Sequence, residues 1–315
     1  MTKLDINVGL QIPLFDYPGI AADKLFERVS DIARTAEASG FDSVWVMDHF
    51  EQIMGDPAAP ILEGYVVLAG IAARTQWVNL GTLVTGVLYR NPAVLAKMVT
   101  SLDVLSSGRA VLGIGASWNE SEQAHYGIDR APLVERMDRL DEALEVCHLM
   151  FTQEAPSFKG RYYEINEAHN VPRPVRPDGI PIMVGGGGEK RTLRAAARYA
   201  DAVNFFGDPE TVRHKTKVLD EHCAAIGRDP REITRTALKT LIIGQDAEQA
   251  AKKAEPLRAT FGERFGVIGM AGGPDEVRAQ ARELREAGLD GLIVNLPDAY
   301  DLETVALAGE TLASV

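Results

Sequence analysis

The chain has 315 residues, of which 46% are hydrophobic and 25% charged, and its formal net charge is −12. This length allows one large α/β domain or two medium ones, and the composition is ordinary for a globular protein with a substantial core. The negative charge disfavours non-specific binding to nucleic acids or anionic membranes, because such polyanions would be repelled. The two cysteines lie far apart in helix-like segments, which is typical of free thiols in a reducing cytoplasm. The polar N-terminus predicts no signal peptide, and no apolar run reaches the roughly 18 residues of a membrane span.

Short apolar runs alternate with amphipathic segments of helical length along nearly the whole chain. The apolar runs predict eight strands, at residues 6–12, 43–47, 78–85, 110–114, 181–184, 202–205, 233–243 and 289–295. Helices are predicted at 22–39, 61–74, 92–105, 133–151, 189–199, 209–226, 247–260, 274–287 and 302–312. Eight strands that are each followed by a helix predict a parallel (β/α)8 TIM barrel, with residues 1–315 as a single domain. No GxGxxG motif follows the first strand, which weakens the alternative of a dinucleotide-binding Rossmann fold.

The alternation is interrupted at residues 152–180, a segment that contains several prolines and an aromatic strand candidate at 161–163. A stretch of this length without a clear core element is typical of a functional insertion or a mobile lid. We therefore expect this insertion to help close a ligand pocket.

The predicted strands end in polar residues and glycines, whereas their bodies are apolar. These ends comprise Gln11, Asp48-His49, residues 82–85, residues 115–120, Gly185 to Gly188, Asn204, residues 239–244 and Asn295. In a parallel barrel the C-terminal ends of the strands meet at one face, where ligands bind. The asymmetry predicts an enzyme active site or ligand site at that face.

Four consecutive glycines end the fifth strand and are followed by Glu189, Lys190 and Arg191. Glycines let backbone N–H groups approach an anion, the following helix contributes its dipole, and a nearby cation adds charge. This pattern predicts a phosphate site in the second half of the barrel. The alternative is a loop that needs positive φ for tight packing.

His49 is suited to general acid or base chemistry near neutral pH, although it could instead be satisfied by local hydrogen bonds. The other histidines lack the spacing of metal ligands, so no metal site is predicted. Glu120 and Glu122 both suit the start of a helix; we favour that interpretation for Glu122, and Glu120 stays open as a candidate acid. Lys239 either points into the barrel mouth toward an anion or extends outward.

Several motifs resemble those of the luciferase-like monooxygenase superfamily, in the expected order and over essentially the whole chain. They are WVMDHF at 45–50, LGTLVTGVLYRNPAVLAK at 80–97, GRAVLGIGASWNESEQAHYG at 108–127, FKGRYYEINEAHNVPRPVRP at 158–177, PIMVGGGGEKRTLRAAARYAD at 181–201 and AGGPDEVRAQARELREAGLDGLIV at 271–294. The chain is most similar to the branch that uses the deazaflavin coenzyme F420 in place of FMN. The resemblance implies a bacterial luciferase-like (β/α)8 barrel with insertions, with the flavin-like ring in its mouth.

The resemblance also implies roles for individual residues. A bulge with a non-prolyl cis peptide backs the ring in the family, and here it falls at Leu83-Val84, with Thr85 beside it. Asp48 matches the residue that contacts the deazaflavin, and His49 matches the one near the reacting carbon. The cofactor phosphate would lie on three glycines with a cation close by, namely Gly186, Gly187, Gly188 and Lys190 or Arg191.

The turn after the fourth strand both matches the family and departs from it. Asn119 and Glu120 match the family pattern, as a cofactor-binding residue and a second catalytic candidate. Ala116, however, stands where F420-dependent sugar-phosphate dehydrogenases of this family carry a catalytic glutamate. This difference argues against sugar-phosphate dehydrogenation.

The implied function is an F420-dependent oxidoreductase that transfers a hydride between coenzyme F420 and a small organic substrate, with His49 as proton donor or acceptor. One alternative is an FMN-dependent monooxygenase that uses O2 and reduced flavin from a separate flavin reductase. Another is a flavin- or deazaflavin-binding protein without turnover. We expect a cytoplasmic protein, and the resemblance implies a homodimer formed through the barrel helices.

Overall fold

Strands and helices alternate along the chain, which the structure, a computed structural model, describes at residues 4–53 and 56–315. Residues 1–3 of the predicted domain and residues 54 and 55 lie outside the described part. The strands are β1 (Val8–Ile12), β2 (Ser43–Val46), β3 (Asn79–Thr82), β4 (Thr85–Gly86), β5 (Ala110–Gly115), β6 (Phe158–Lys159), β7 (Glu164–Ile165), β8 (Ile182–Gly185), β9 (Ala202–Phe205), β10 (Thr234–Ile243), β11 (Gly269–Gly272) and β12 (Gly291–Asn295). The α-helices are α1 (Leu25–Ala38), α2 (Gly64–Ala72), α3 (Pro92–Leu105), α4 (Glu120–His125), α5 (Leu133–Thr152), α6 (Thr192–Tyr199), α7 (Pro209–Ala225), α8 (Ala247–Phe261), α9 (Arg264–Ile268), α10 (Pro274–Glu286) and α11 (Leu302–Leu312), and two 3-10 helices cover Ala22–Lys24 and Pro230–Glu232.

Eight parallel strands close into a barrel in the order β1-β2-β3-β5-β8-β9-β10-β12, and β12 pairs again with β1. The predicted (β/α)8 TIM barrel is therefore confirmed. Side chains alternate along each strand, so one set fills the barrel and the other packs against the surrounding helices. The inner set is one apolar cluster of Leu4, Ile6, Trp45, Leu83, Val111, Met183, Ala202, Leu238 and Ile293.

Several elements were not predicted from the sequence, among them strand β11 and the short helices α4 and α9, and the strand candidate at 161–163 lies between β6 and β7 instead of in a strand. Strand β11 extends the sheet outside the barrel, where its four residues pair in parallel with residues 240–243 of β10. Its sequence, Gly-Met-Ala-Gly, lacks the run of β-branched and aromatic residues that predicts a strand. Helix α4 has only six residues, which is too short for a helical repeat of apolar positions to show.

The insertion at residues 152–180 lies on the outside of the barrel. It contains the antiparallel hairpin β6-β7, and Glu142 of α5 accepts three backbone N–H groups from residues 161–163 at 2.7–3.0 Å. Further along, the Asn170 amide donates to Thr100 of α3 at 2.8 Å, and the N–H of Val175 donates to Asp103 at 2.7 Å. These bonds hold the segment against α3 and α5. The expectation that it closes the ligand pocket is therefore wrong.

The described residues include no helix that is long and apolar enough to cross a membrane. Both cysteines are buried and free. Among the same residues, no group of three or more His, Cys, Asp or Glu side chains is placed to hold a metal ion.

Candidate active site

A bulge interrupts the third barrel strand at the C-terminal face. The peptide between Leu83 and Val84 is cis, as the resemblance implied. Gly81 pairs with Val111 and Thr85 with Ile114, so four steps along this strand face three steps along β5. One extra residue is thus accommodated between β3 and β4, and the predicted bulge is confirmed.

Side chains of two other strands hold the bulge. The Gln11 amide donates from Nε2 to the carbonyl oxygen of Leu83 at 3.0 Å. The Asn295 amide donates in turn to Gln11 Oε1 at 3.2 Å. These contacts satisfy a buried carbonyl that strand pairing cannot reach, and they fix the bulge relative to β1 and β12.

Glycines of the neighbouring strands make room for the Val84 side chain. A Cβ atom built on Gly185 would lie 2.8 Å from both methyl groups of Val84, and one on Gly115 would lie 3.0 Å from the nearer methyl group. A Cβ on Gly113 would lie only 1.9 Å from the carbonyl oxygen of Thr82. The bulge therefore packs directly against the backbone of β5 and β8. On this side of the barrel mouth the wall consists of the Val84 side chain over glycine backbone.

His49 lies three residues after the end of β2 and is buried against a carboxylate that the sequence pattern assigned only to the start of a helix. Its Nδ1 lies 2.9 Å from Oε2 of Glu122, which is fully buried in α4. The other carboxylate oxygen accepts the backbone N–H groups of Phe50 and Glu51, at 2.5 and 3.1 Å. Tyr89 donates its hydroxyl to Oε2 as well. One carboxylate thus organises the start of the β2–α2 loop.

The charge of Glu122 determines which nitrogen of His49 carries a proton. Burial on its own would raise the pKa of the Glu122 carboxyl, but the hydrogen bonds from His49 and Tyr89 lower it below its usual value. Burial and the same hydrogen bond raise the pKa of Tyr89, so its hydroxyl stays protonated. An ionised carboxylate beside Nδ1 keeps the proton on that nitrogen. Nε2 is then the nitrogen that can give a proton to a ligand or accept one from it. Within the described part of the chain, Nε2 has no hydrogen-bond partner.

Asp48 is bound by an arginine. Arg90, which follows β4, forms a bidentate pair with it, with Nη1–Oδ2 at 2.6 Å and Nη2–Oδ1 at 2.9 Å. Arg90 also binds Glu63, at the N-cap of α2, and its guanidinium lies 4.9 Å from the centre of the Tyr65 ring. Burial raises the pKa of Asp48, and its hydrogen bonds to Arg90 and Thr85 oppose that effect. Both carboxylate oxygens of Asp48 are therefore bound by Arg90, a residue that was not predicted from the sequence.

The glycine loop joins β8 to α6. Gly186 has φ of +125°, and its N–H donates to the carbonyl oxygen of Asn204, so positive φ does explain this glycine. The N–H groups of Gly187 and Gly188 form no hydrogen bond with any described residue, and no side chain caps the N-terminus of α6. Two free donors at an uncapped helix start are what an anion site requires.

The cation beside this loop comes from α7. Lys215 donates to Glu189 at 2.6 Å, and its Cε lies 3.7 Å from where a Cβ on Gly187 would stand. Arg191, a predicted phosphate ligand, instead binds Asp138 and Asp141 of α5 at 2.7 and 2.9 Å. Lys190 is exposed to solvent. Lys215 could not be found from the sequence, because 24 positions separate it from Arg191 (215 minus 191) and only the fold brings it to the loop.

The structure separates the two glutamates of α4. Glu120, the candidate acid, is exposed at the first position of the helix, whereas Glu122 is the carboxylate that contacts His49. Asn119 accepts the N–H of Glu122 at 3.3 Å and is the N-cap of the helix. Glu122 does lie in the first turn of α4, as predicted, and its carboxylate also contacts His49, which was not predicted. The role of Glu120 as a candidate acid stays a prediction. The first turn of α4 directs Glu122 inward, and sequence spacing alone does not show this.

Lys239 points outward from the barrel. Its neighbour Leu238 belongs to the inner cluster, so Lys239 faces the helices, where its Nζ donates to the carbonyl oxygen of Val267 at 2.6 Å. The side chain is buried, with 2% of the residue exposed. Desolvation lowers its pKa to about 8. The alternative of an anion ligand in the mouth does not hold.

The chain is similar in sequence and in fold to known proteins. The profile of the luciferase-like monooxygenases matches residues 11–294. The F420-dependent glucose-6-phosphate dehydrogenase of Kineococcus radiotolerans is 34% identical over 260 residues, which cover 79% of this chain and 76% of that protein. The structure of the coenzyme F420 dependent tetrahydromethanopterin reductase from Methanopyrus kandleri superposes with a TM-score of 0.79 at 19% identity, over 98% of both chains. That of the oxygenating constituent of 3,6-diketocamphane monooxygenase from Pseudomonas putida, in complex with FMN, gives 0.78 at 20% identity over 99% of both chains.

The two structural likenesses establish the fold alone, since both identities are low. The profile match covers most of the barrel, and it includes the bulge, His49, Glu122 and the glycine loop. The chain belongs to the luciferase-like monooxygenase family.

Proposed function

We propose that the protein is an F420-dependent oxidoreductase that transfers a hydride between coenzyme F420 and a small organic substrate. The observation that carries the proposal is the His49–Glu122 pair, because it presents an oriented imidazole at the same barrel end as the cis-peptide bulge. The dehydrogenase from Kineococcus radiotolerans, which is named as F420-dependent, supports the choice of cofactor.

The residues at the mouth fit such a cofactor. Val84 packs over the glycines of β5 and β8, which have no side chains to project from this wall, and such a wall suits a flat ring. The free N–H groups of Gly187 and Gly188, with Lys215 beside them, suit a phosphate group. When bound, F420 supplies the carbon that accepts or donates the hydride, and the protein supplies position and electrostatics.

The chain's own residues handle the proton. Glu122 holds the proton of His49 on Nδ1, and His49 Nε2 gives a proton to the substrate or takes one from it. Tyr89 and the N–H groups of Phe50 and Glu51 keep the Glu122 carboxylate in place. Arg90 forms an ion pair with Asp48 and so holds that carboxylate in place at the barrel mouth. Glu120 has no part in this proposal.

The alternative is an FMN-dependent monooxygenase fed by a flavin reductase. The family description and the FMN-bound enzyme from Pseudomonas putida favour it. F420 carries an oligoglutamate tail, which FMN lacks, and cations at the edge of the glycine loop would attract that tail. Lys190, which lies in this loop, is exposed and favours F420.

Fluorescence titration of the purified protein with F420 and with FMN tests the choice between the two cofactors. We expect F420 to bind, and tight FMN binding without F420 binding would refute the proposal. Turnover is tested by oxidation of reduced F420 with a panel of enones, imines and aldehydes. We expect His49→Ala to slow this oxidation by about 10²–10⁴-fold. If F420 binds but wild type and variant are equally inert on the whole panel, the protein is a binding protein without turnover.

We also propose that the protein works in the cytoplasm as a homodimer. The buried free cysteines suit a reducing compartment. Val66 of α2 is 73% exposed and Val94 of the adjacent α3 is 56% exposed, so these helices offer an apolar surface to a second copy. Sedimentation velocity of the wild type and of Val66→Asp would show a dimer and its loss.

A further inference from the structure

The rim of the mouth beside His49 is lined by aromatic rings. The indole of Trp118 lies 5.6 Å from the imidazole of His49, at an interplanar angle of 70°. Phe50 lies 5.1 Å from Tyr89 and 5.0 Å from Tyr126. Trp118 is nevertheless 62% exposed. A large aromatic ring exposed at the reactive end of a barrel is typical of a surface that a ligand covers.

The backbone before Trp118 fixes this ring in place. Ser117 has φ of +60°, in the left-handed region that is unfavourable for residues with a side chain. Its hydroxyl accepts the N–H of Leu88 at 3.2 Å, and its carbonyl accepts Nη1 of Arg136 at 2.8 Å. The ring is therefore presented by a turn that is bonded on two sides.

The charged groups along this rim pair with one another. Arg90 is bound by Asp48 and Glu63, and the His49 imidazole faces Glu122. On the outer side, His125 pairs with Glu51 at 2.9 Å. The four carboxyls outnumber the two guanidinium groups, those of Arg90 and Arg136, so an anionic substrate would be repelled. Each carboxyl already has a partner, so none is left to bind a cationic substrate.

We infer that the substrate is an uncharged molecule with an apolar ring, and that this ring stacks on Trp118 while the reacting atoms lie beside His49. This inference rests on the proposed function. A sugar phosphate does not suit this rim, although the relative from Kineococcus radiotolerans is named as a glucose-6-phosphate dehydrogenase.

The test uses a matched pair of probes, 4-phenyl-3-buten-2-one and its para-carboxylate, which share the reactive enone and differ in charge. Each is titrated by calorimetry into the F420-bound protein. We expect the neutral ketone to bind at least about ten-fold more tightly than the carboxylate, and Trp118→Ala to weaken its binding about ten-fold. Trp77→Ala is the matched control. Trp77 is 52% exposed but precedes β3, at the opposite end of the barrel, so binding should not change.

Equal or tighter binding of the carboxylate, no binding of the neutral ketone, or an unchanged affinity in Trp118→Ala would each overturn the inference. Reduction of F420 by glucose 6-phosphate would overturn it as well, while leaving the F420-dependent function intact. If F420 itself does not bind, the proposed function fails, and titration of the cofactor-free protein still decides the inference. Where the ketone is reduced, one carbon of its carbon–carbon double bond gains the hydride from reduced F420 and the other gains a proton from His49 Nε2. The proton that reduced F420 releases restores the protonated His49.

Discussion

The Nδ1 atom of His49 lies 2.9 Å from Oε2 of Glu122, although 73 positions separate the two residues in the chain. The same carboxylate accepts the N–H groups of the two residues that follow His49. Glu122 therefore orients the imidazole and also anchors the loop that carries it. A change at this carboxylate should affect the proton chemistry of the site before it affects cofactor binding.

We expect Glu122→Gln to lower kcat by about ten-fold or more, while the affinity for F420 stays unchanged. A neutral amide cannot accept from the imidazole, the tyrosine hydroxyl and two N–H groups at once, because one end of it is a donor. The matched control is Glu120→Gln, two positions earlier in the same helix and exposed. Steady-state rates of F420 turnover in both variants test this. Equal rates in the two variants would contradict the role of Glu122.

We expect Gly185→Ala to destabilise the fold by about 1–3 kcal/mol and to weaken F420 binding, because the new methyl group meets both methyl groups of Val84 at 2.8 Å. Val84→Ala in the same chain should recover part of the stability, since it removes the atoms that collide. Urea denaturation of the two single variants and the double variant measures this coupling. Strictly additive effects would show that Val84 does not pack on Gly185.

The barrel could be predicted from the sequence because an apolar strand followed by an amphipathic helix recurs eight times. Each repeat supports the assignment of the others. The bulge at Leu83-Val84 followed from the resemblance, which rests on contiguous motifs, and His49 was a candidate both from its place at the end of a strand and from the resemblance. These features share one property: their residues are close in sequence, so a local pattern contains them.

The partners of these residues could not be predicted, because they come from distant elements. Glu122, Arg90 and Lys215 reach the site only after the barrel closes. The two glutamates of α4 are both acidic residues in a first turn, and only the packing of that turn buries one and exposes the other. The role of the insertion at residues 152–180 was predicted wrongly for the same reason, because its hydrogen bonds to α3 and α5 produce no periodic pattern in the sequence.

The assignment of Lys215 to the glycine loop can be tested against a neighbour on the same helix. We expect Lys215→Met to weaken F420 binding several-fold, because a half-buried cation next to two free N–H groups is lost. Lys217→Met removes an equal charge from an exposed position and should have little effect. Fluorescence titration at two salt concentrations compares them. A larger effect of Lys217 would place the cofactor phosphate elsewhere.

The buried Lys239 predicts an unusual dependence of stability on pH. Desolvation lowers its pKa from 10.5 to about 8, so between these values the unfolded chain binds a proton that the folded chain lacks. Stability should therefore rise as the pH increases from about 8 toward 10, and the cost of the buried charge should be greatest below pH 8. Lys239→Met removes that cost and loses the bond to Val267, so we expect it to be about 1–2 kcal/mol more stable at pH 7. Melting temperatures measured from pH 7 to 10 should converge between variant and wild type, whereas parallel curves would show that Lys239 is not desolvated in the folded protein.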